Sequence, residues 1–427
     1  MKKNDILNAV DSKKKKSTTN KKTTNTKKSS KSTSKTTKTK NVTIKKIPEI
    51  KEEIKEEKKE EKIELEEFEE VIPFKKRIAK FFIRLGIILL SLIALLLLFL
   101  TLTEYRPKDR EEVSVNGEVH QSMPLDATIN ILSWNIGYGA LGDNADFFMD
   151  GGEMVQTADR NQVNKNIFGI RNKIESINPT FIFLQEVDTS SKRSNHMNEY
   201  SSYKNYFTNY QSSFAYNFKV LYVPYPIPPI GLVNSGIATF SKYKINSSER
   251  VQLPSSFIWP ISTANLKRCV LISRIPIDNS DKELILMNLH LEAYDHGKGK
   301  EKQTQALLEL LQEEAKKGNY VIAGGDFNQV FSTIDKDKTK VKDGLWKPGK
   351  IDVKSFGDEW QFFMDTETPT CRSLDQPYVD VDKEKFQYYY IDGYIVSSNI
   401  AVDSIKTEDV GFIYSDHNPV ILSAKLQ

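Results

Sequence analysis

The 427-residue chain carries a formal net charge of +4, but the cationic excess sits in its first hundred residues. From Glu104 onward acidic groups outnumber basic ones by about eight, which excludes a basic nucleic-acid-binding face written into the bulk composition and leaves only a local patch open. Two cysteines, Cys269 and Cys371, exclude a multi-disulfide scaffold; one disulfide or buried thiols remain open, and burial is the expectation because free cysteine is among the most buried residue types.

Residues 1–50 are almost entirely Lys, Ser, Thr and Asn. So few large apolar side chains cannot offset the entropy of ordering, and a disordered tail is expected. Residues 51–84 begin with Glu and Lys in blocks, EEIKEEKKEEKIELEEFEE. Opposite charges one turn apart favour a solvated helical spacer, with a short coiled coil as the other reading. A basic flank of Lys75, Lys76, Arg77, Lys80 and Arg84 closes this segment.

Residues 85–103, LGIILLSLIALLLLFLTLT, carry no charge and approach the length of about 20 apolar residues that crosses a hydrocarbon core. The run begins far from Met1, so it reads as a signal anchor and not as a cleaved signal peptide. The basic flank precedes it, whereas EYRPKDREE after it mixes both signs. The positive-inside rule then places the N-terminus in the cytoplasm and everything after Glu104 on the extracellular side of the cell membrane. The tail can also touch anionic headgroups, each Lys adding about 1 kcal/mol. A linker is expected over 104–127.

From residue 128 to 427, short apolar runs alternate with polar loops, as strands do. The clearest are INILSWNIG at Ile129, FIFLQEV at Phe181, GIATFSKY at Gly236, CVLISRIPI at Cys269, LILMNLHLE at Leu284, YVIAGGDF at Tyr320, YYYIDGYIV at Tyr388 and NPVILSAKL at Asn418. Asn161–Ile177 and Lys300–Lys317 show the three- and four-residue spacing of helices. With no internal repeat or linker, this predicts one mixed α and β domain of stacked sheets covered by helices. The segment VLYVPYPIPPIGLVNSG, rich in Pro and aromatics, is expected as an extended loop or edge. It either packs on the core or walls a substrate site, and if it projects, Tyr222, Tyr225 and Ile227 would stack a base or dip into lipid.

Several of the strand-like runs end in acidic, amide or imidazole groups: Asn135, Glu186, Asn288 with His290, Asp326 with Asn328, Asp392, and Asp416 with His417. Each alone has a plain explanation as a turn residue. Together they form a carboxylate-rich set suited to Mg²⁺, with Mn²⁺ as a substitute, and unlike a Cys/His zinc site. Hydrolysis of a phosphate ester needs the anion neutralised, a water activated and the leaving oxygen stabilised.

The blocks SWNIG, LQEVD, NLHL, GGDFN and SDHNPV, in this order, resemble the endonuclease/exonuclease/phosphatase superfamily of DNase-I-like nucleases, bacterial sphingomyelinases and inositol polyphosphate phosphatases. The resemblance implies an α+β four-layer sandwich of two mixed sheets. It implies Glu186 as principal metal ligand with Asn135 and Asp416 beside it, and Asp326 orienting or deprotonating the water. Asn328 would hydrogen-bond a phosphate oxygen, His290 and His417 would be the site imidazoles, and Asp392 would pair with His417. Some nucleases carry a carboxylate two places after the first asparagine, where this chain has Gly137, which leaves the number of metal ions open. Arg193, Arg372 and Asn288 are candidate substrate contacts, with solvated surface arginine as the alternative reading for the first two; His196 and His296 are expected at the surface.

The resemblance implies a phosphoester hydrolase acting on nucleic acid or on a phospholipid, held to the membrane by one helix, and no protein partner follows from it. An extracytoplasmic nuclease is the leading expectation. A sphingomyelin- or phospholipid-cleaving phosphodiesterase or an inositol phosphate phosphatase is the alternative, and an inactive binding domain the remote one.

Overall fold

The computed structural model describes residues 50–295 and 298–427; the Lys-rich tail expected to be disordered and His296 lie outside the described residues. Two compact units divide the chain, Met1–Arg84 and Leu85–Gln427. In the first, residues from Ile50 onward are helical, part of a helix that ends at Leu102. Among the described residues, one helix is long and apolar enough to cross a membrane, over Phe74–Leu102.

Two seven-stranded sheets build the second unit. One runs, edge to edge, Ile400–Thr407, Val420–Leu426, Ile129–Asn135, Phe181–Asp188, Gly231–Ser241, Gln211–Val223 and Val115–Asn116. The other runs Arg110–Glu112, Ser247–Gln252, Cys269–Pro276, Glu283–His290, Tyr320–Asp326, Asp392–Ser397 and Trp360–Phe363. Each sheet holds a single parallel pair, Ile129–Asn135 with Phe181–Asp188 and Glu283–His290 with Tyr320–Asp326. Parallel neighbours need a crossover connection, and the two helices read from apolar spacing supply it, observed as Arg160–Ile177 and Lys298–Ala315. The first is capped by Asp159, which accepts from Gln162 N, and stops at Asn178 in the left-handed conformation.

Strand alternation sorts the core into layers. Leu132 and Trp134 turn to the Arg160–Ile177 helix and pack with Val163, Ile167, Ile170 and Ile174. Ile129 and Ile131 turn the other way, toward Leu284 and Leu286 of the second sheet. There Ile285, Met287 and Leu289 face Leu307, Leu308 and Leu311 of the second helix. The stack is helix, sheet, sheet, helix, the four-layer sandwich expected.

Three segments differ from the sequence expectation. Residues 104–127 are folded into the domain: Arg110–Glu112 and Val115–Asn116 close one edge of each sheet, and Met123 is buried between the sheets. The Pro-aromatic segment is the turn of a long hairpin, because Gln211–Val223 and Gly231–Ser241 pair on either side of it. The YYYIDGYIV run is broken, since Ile391 N and Asp392 N donate to Thr370 Oγ1 and the chain joins the sheet only from Asp392. Both cysteines are free and buried.

Candidate active site

The inter-sheet face of the central strands is apolar at one end and polar at the other. Ile129 and Ile131 give way to Ser133 and Asn135, Phe181 and Phe183 to Gln185, Leu284 and Leu286 to Asn288 and His290, and Ile322 to Asp326. In register, Asn135 lies opposite Gln185, and Asp326 opposite both His290 and Asp392. The polar ends are the carboxyl ends of both parallel pairs, where open α/β sheets place their ligands.

One layer below the site, Gln185 Nε2 donates to Asn288 Oδ1 at 2.8 Å and to Ser133 Oγ at 3.2 Å. Asn288 Nδ2 in turn donates to Ala238 O at 2.9 Å. This network ties the sheets together and occupies Asn288 fully. Asn288 therefore acts as an inter-sheet tie and not as the substrate contact expected, because it sits two residues deeper than His290 on the same face.

Glu186 owes its direction to a bulge. Pairing between Phe181–Asp188 and Gly231–Ser241 slips between Leu184 and Val187, and Glu186 takes a φ of 56°. Bulges re-aim side chains in this way, and a non-glycine residue at positive φ is a position the fold has to hold. Asn135 Nδ2 bridges Glu186 Oε1 at 3.2 Å and Asp326 Oδ2 at 3.0 Å, while its own carbonyl accepts from Gly137 N.

Asp326 Oδ2 is the meeting point of the site. His290 Nε2 lies 3.4 Å and His417 Nε2 3.8 Å from it, and Asp326 Oδ1 accepts from Asn328 N at 2.8 Å. Burial, with Asp392 adding its charge, pushes the Asp326 carboxyl up to about 7. His417 Nδ1 lies 2.8 Å from Asp392 Oδ2. Burial opposes the imidazolium, but Asp392 above all, with Cys371 and Asp416, holds His417 well above the ordinary histidine range. His290 moves the other way: burial, with Arg268 and His417 nearby, keeps it neutral. The two imidazoles are thus pushed in opposite directions on either side of one carboxyl.

The arginines divide. Arg372 is buried and donates to Ser373 O, Gly142 O and Ala145 O, so it braces a turn and is not the solvated residue expected, while it also lines the cavity with its Nε unpartnered. Arg193 grips Asp188 through Nε and Nη2 at 3.2 and 3.0 Å, lies 3.7 Å over the Tyr138 ring, and places Nη1 4.0 Å from Glu186 Oε2. Arg268, unremarked in the sequence, is buried at the cavity wall with Nε and Nη1 unpartnered. Asp150 is a second such residue: Tyr294 Oη lies 3.0 Å from both its oxygens, and burial pushes it up to about 7. Neither falls in a strand-ending motif, and only the folded chain brings them to the site. His196 is at the surface turn expected, near Ser190 Oγ.

Asn135, Glu186, His290, Asp326, Asn328, Asp416 and His417 line one cavity of about 620 Å³, and Asp392 stands behind His417. Its acidic groups suit a hard cation. Burial pushes Asp416 up to about 6, opposed by His417 and reinforced by the Glu186 charge, and a carboxylate so destabilised is what an oxygen-preferring divalent ion relieves. Cys371 approaches Asp416 and His417 closely enough to share an ion, but burial pushes its thiol up to about 12. A metal-free thiol so disfavoured as thiolate is the less ready donor beside an existing carboxylate, and Glu186 and Asp416 could hold a hard ion through oxygen.

Two central sheets flanked by crossover helices, with carboxylates and imidazoles at the strand ends, define a phosphoester hydrolase site. The sequence profile of the Endonuclease/Exonuclease/phosphatase family matches residues 132–417, and the chain belongs to that family. Its members hydrolyse phosphoric esters and are generally dependent on divalent metals. No curated protein matches by sequence. Similar solved structures include an endonuclease/exonuclease/phosphatase from Beutenbergia cavernae, at 14% identity and a TM-score of 0.46 over 70% of this chain and 72% of that one. The human Nocturnin catalytic domain is similar at 16% identity and 0.44 over 74% and 97%, and TDP2 from Caenorhabditis elegans at 15% and 0.42 over 70% and 75%.

Proposed function

We propose that this chain is a membrane-anchored, Mg²⁺-dependent phosphodiesterase whose substrate is a lipid-like phosphoester. The observation that carries the substrate class is the wall of the cavity. Its polar floor is the site above, but Leu96, Leu97 and Leu100 of the apolar helix stand in its side, with Phe148, Tyr225 and Ile261. An apolar wall of that kind suits an acyl chain. With an acidic body, it favours a lipid over the nucleic acid that the sequence put first.

In this reading Glu186 and Asp416, with Asn135 alongside, hold Mg²⁺, which supplies charge neutralisation of the phosphate when bound. Asp326, flanked by two imidazoles and raised to about 7, orients a water and accepts its proton. His417, fixed through Nδ1 by Asp392, presents its other N–H to a phosphoryl oxygen. The Asn328 amide, which already donates to Leu291 O at 3.0 Å, has a second N–H for the same anion. The basic residues before the helix support a cytoplasmic N-terminus and an extracellular catalytic domain.

The test is a parallel assay of the full chain in nanodiscs with Mg²⁺, offering DNA, RNA, sphingomyelin, phosphatidylcholine and inositol phosphates. Cleavage of a lipid phosphodiester is expected; cleavage of nucleic acid alone would return the nuclease reading.

A further inference from the structure

The helix that lines the cavity does not end in isolation. Trp259 Nε1 donates to Thr101 Oγ1 at 3.0 Å, and Lys267 Nζ reaches Glu104 Oε1 at 2.8 Å. Leu100 is only 5% exposed, although the residues around it on the helix are mostly open. The Leu85–Gln427 unit therefore holds the last turns of the apolar helix against its own Phe257–Leu266 segment.

Beside that contact lies a concentration of exposed apolar side chains that no core explains. On the hairpin turn, Tyr225 is exposed and Ile227 is 95% exposed; on the neighbouring segment Ile258 is 81% exposed, with Trp259 and Ile261 also open. The two are continuous, since Ala264 and the hairpin's Ile230 both pack against the Val220, Val223 and Val233 cluster. Single exposed apolar residues are ordinary, but a contiguous group of this size marks a contact surface.

We propose that the Pro224–Ile230 turn and the Phe257–Ile261 segment form an apolar collar that inserts into the leaflet the helix enters at Thr101. The cavity then opens onto the bilayer, and a membrane-resident phosphoester reaches it laterally. This deepens the membrane-anchored reading above and rests on it.

Level and chemistry both select a bilayer as the occupant. Thr101 is at the end of the apolar run, and Trp259 is hydrogen-bonded to it, so its indole sits at the depth where tryptophan concentrates between hydrocarbon and water. Leu96, Leu97 and Leu100 lie within five residues of Thr101, which at 1.5 Å per residue places the cavity wall at most about 7.5 Å below that level. Helical and loop surfaces that lie in an interface bury apolar side chains about 5–10 Å deep. Tyr225, Ile230, Phe257 and Ile261 belong to both collar and cavity lining, so the opening faces the side from which a lipid would arrive.

The experiment places one cysteine at a time in the full chain, as Ile227→Cys, Ile258→Cys, Leu95→Cys and Val379→Cys, each at an exposed position. Cys371 lines the cavity, so the four single cysteines are placed in a Cys269→Ala, Cys371→Ala background, and the background chain itself is carried through labelling as the blank. Each variant carries an environment-sensitive fluorophore and is reconstituted in phosphatidylcholine vesicles containing a lipid bearing a spin-label quencher near its headgroup. Labels at Leu95, Ile227 and Ile258 should be quenched severalfold more than the label at Val379. Quenching at Leu95 alone would leave the anchor standing, overturn the collar and assign that surface to a protein partner or a second copy. An unquenched Leu95 would remove the anchored reading itself, and the collar with it.

Discussion

Asp392 Oδ2 and His417 Nδ1 lie 2.8 Å apart, one at the start of a strand of one sheet and the other in the turn leading into a strand of the other. The contact fixes which imidazole nitrogen faces the cavity, and it stands at the junction of the two sheets. Neutralising the carboxylate in Asp392→Asn keeps the shape but removes the charge that orients the ring. We expect kcat to fall on the order of 10²–10⁴-fold, as for other carboxylate-imidazole pairs, with KM changing little. Steady-state kinetics on a soluble chromogenic phosphodiester check this, and a loss confined to KM would count against an orienting role.

Glu186 and Asp416 should respond to metal before any substrate is present. Excess chelator is expected to abolish activity, and Mg²⁺ or Mn²⁺ to restore it. Because an ion that binds only the folded chain stabilises it, the metal should also raise the melting temperature, by the equivalent of about 2.7 kcal/mol at a hundred times its Kd. Glu186→Gln should suppress that shift. Undiminished activity in chelator would remove the metal from the mechanism.

The strand ends were legible in sequence because a change from apolar to polar along one face survives in local order: MNLHL, GGDFN and SDHNP each show it. What local order hides is depth. Asn288 and His290 share a face, yet one is sealed by Gln185 and the other reaches the cavity. The two arginines look alike in sequence, and only the carbonyls of Gly142 and Ala145 show that Arg372 braces a turn at the cavity edge. Arg268 and Asp150 come to the cavity from loops far apart in sequence, with no periodicity to announce them. The bulge that aims Glu186 depends on pairing with Gly231–Ser241, a strand whose first half the Pro-rich segment concealed.

Arg193 offers a test of support against substrate contact. Its partner Asp188 is fully buried and has Ser194 Oγ, at 2.8 Å, as its other side-chain donor. Arg193→Ala strands that carboxylate, and loss of one member of a buried pair costs about 3–5 kcal/mol. Chemical denaturation should show it, and Asp188→Asn in the same chain should recover part of the loss. A stable Arg193→Ala protein with a raised KM would instead make Arg193 a substrate contact.

Far from the site, Glu314 gives a pH prediction with a definite sign. Its carboxylate accepts from Arg274 Nη2 at 2.5 Å, Lys317 Nζ at 2.8 Å and Asn319 Nδ2 at 2.8 Å. Burial alone would raise it, but these partners hold it down to about 2, from an ordinary value of 4.5. A carboxyl depressed on folding adds stability that is complete above its unfolded value and disappears as pH falls toward its folded one. Glu314→Gln should therefore melt below the wild type by a constant margin from about pH 8 to pH 5, and that margin should narrow as pH drops from about 4.5 toward 2. Paired melting curves across that range isolate Glu314 from the other carboxyls, which titrate alike in both proteins. A margin that does not shrink in acid would mean that the stabilisation comes from packing of the side chain and not from its charge.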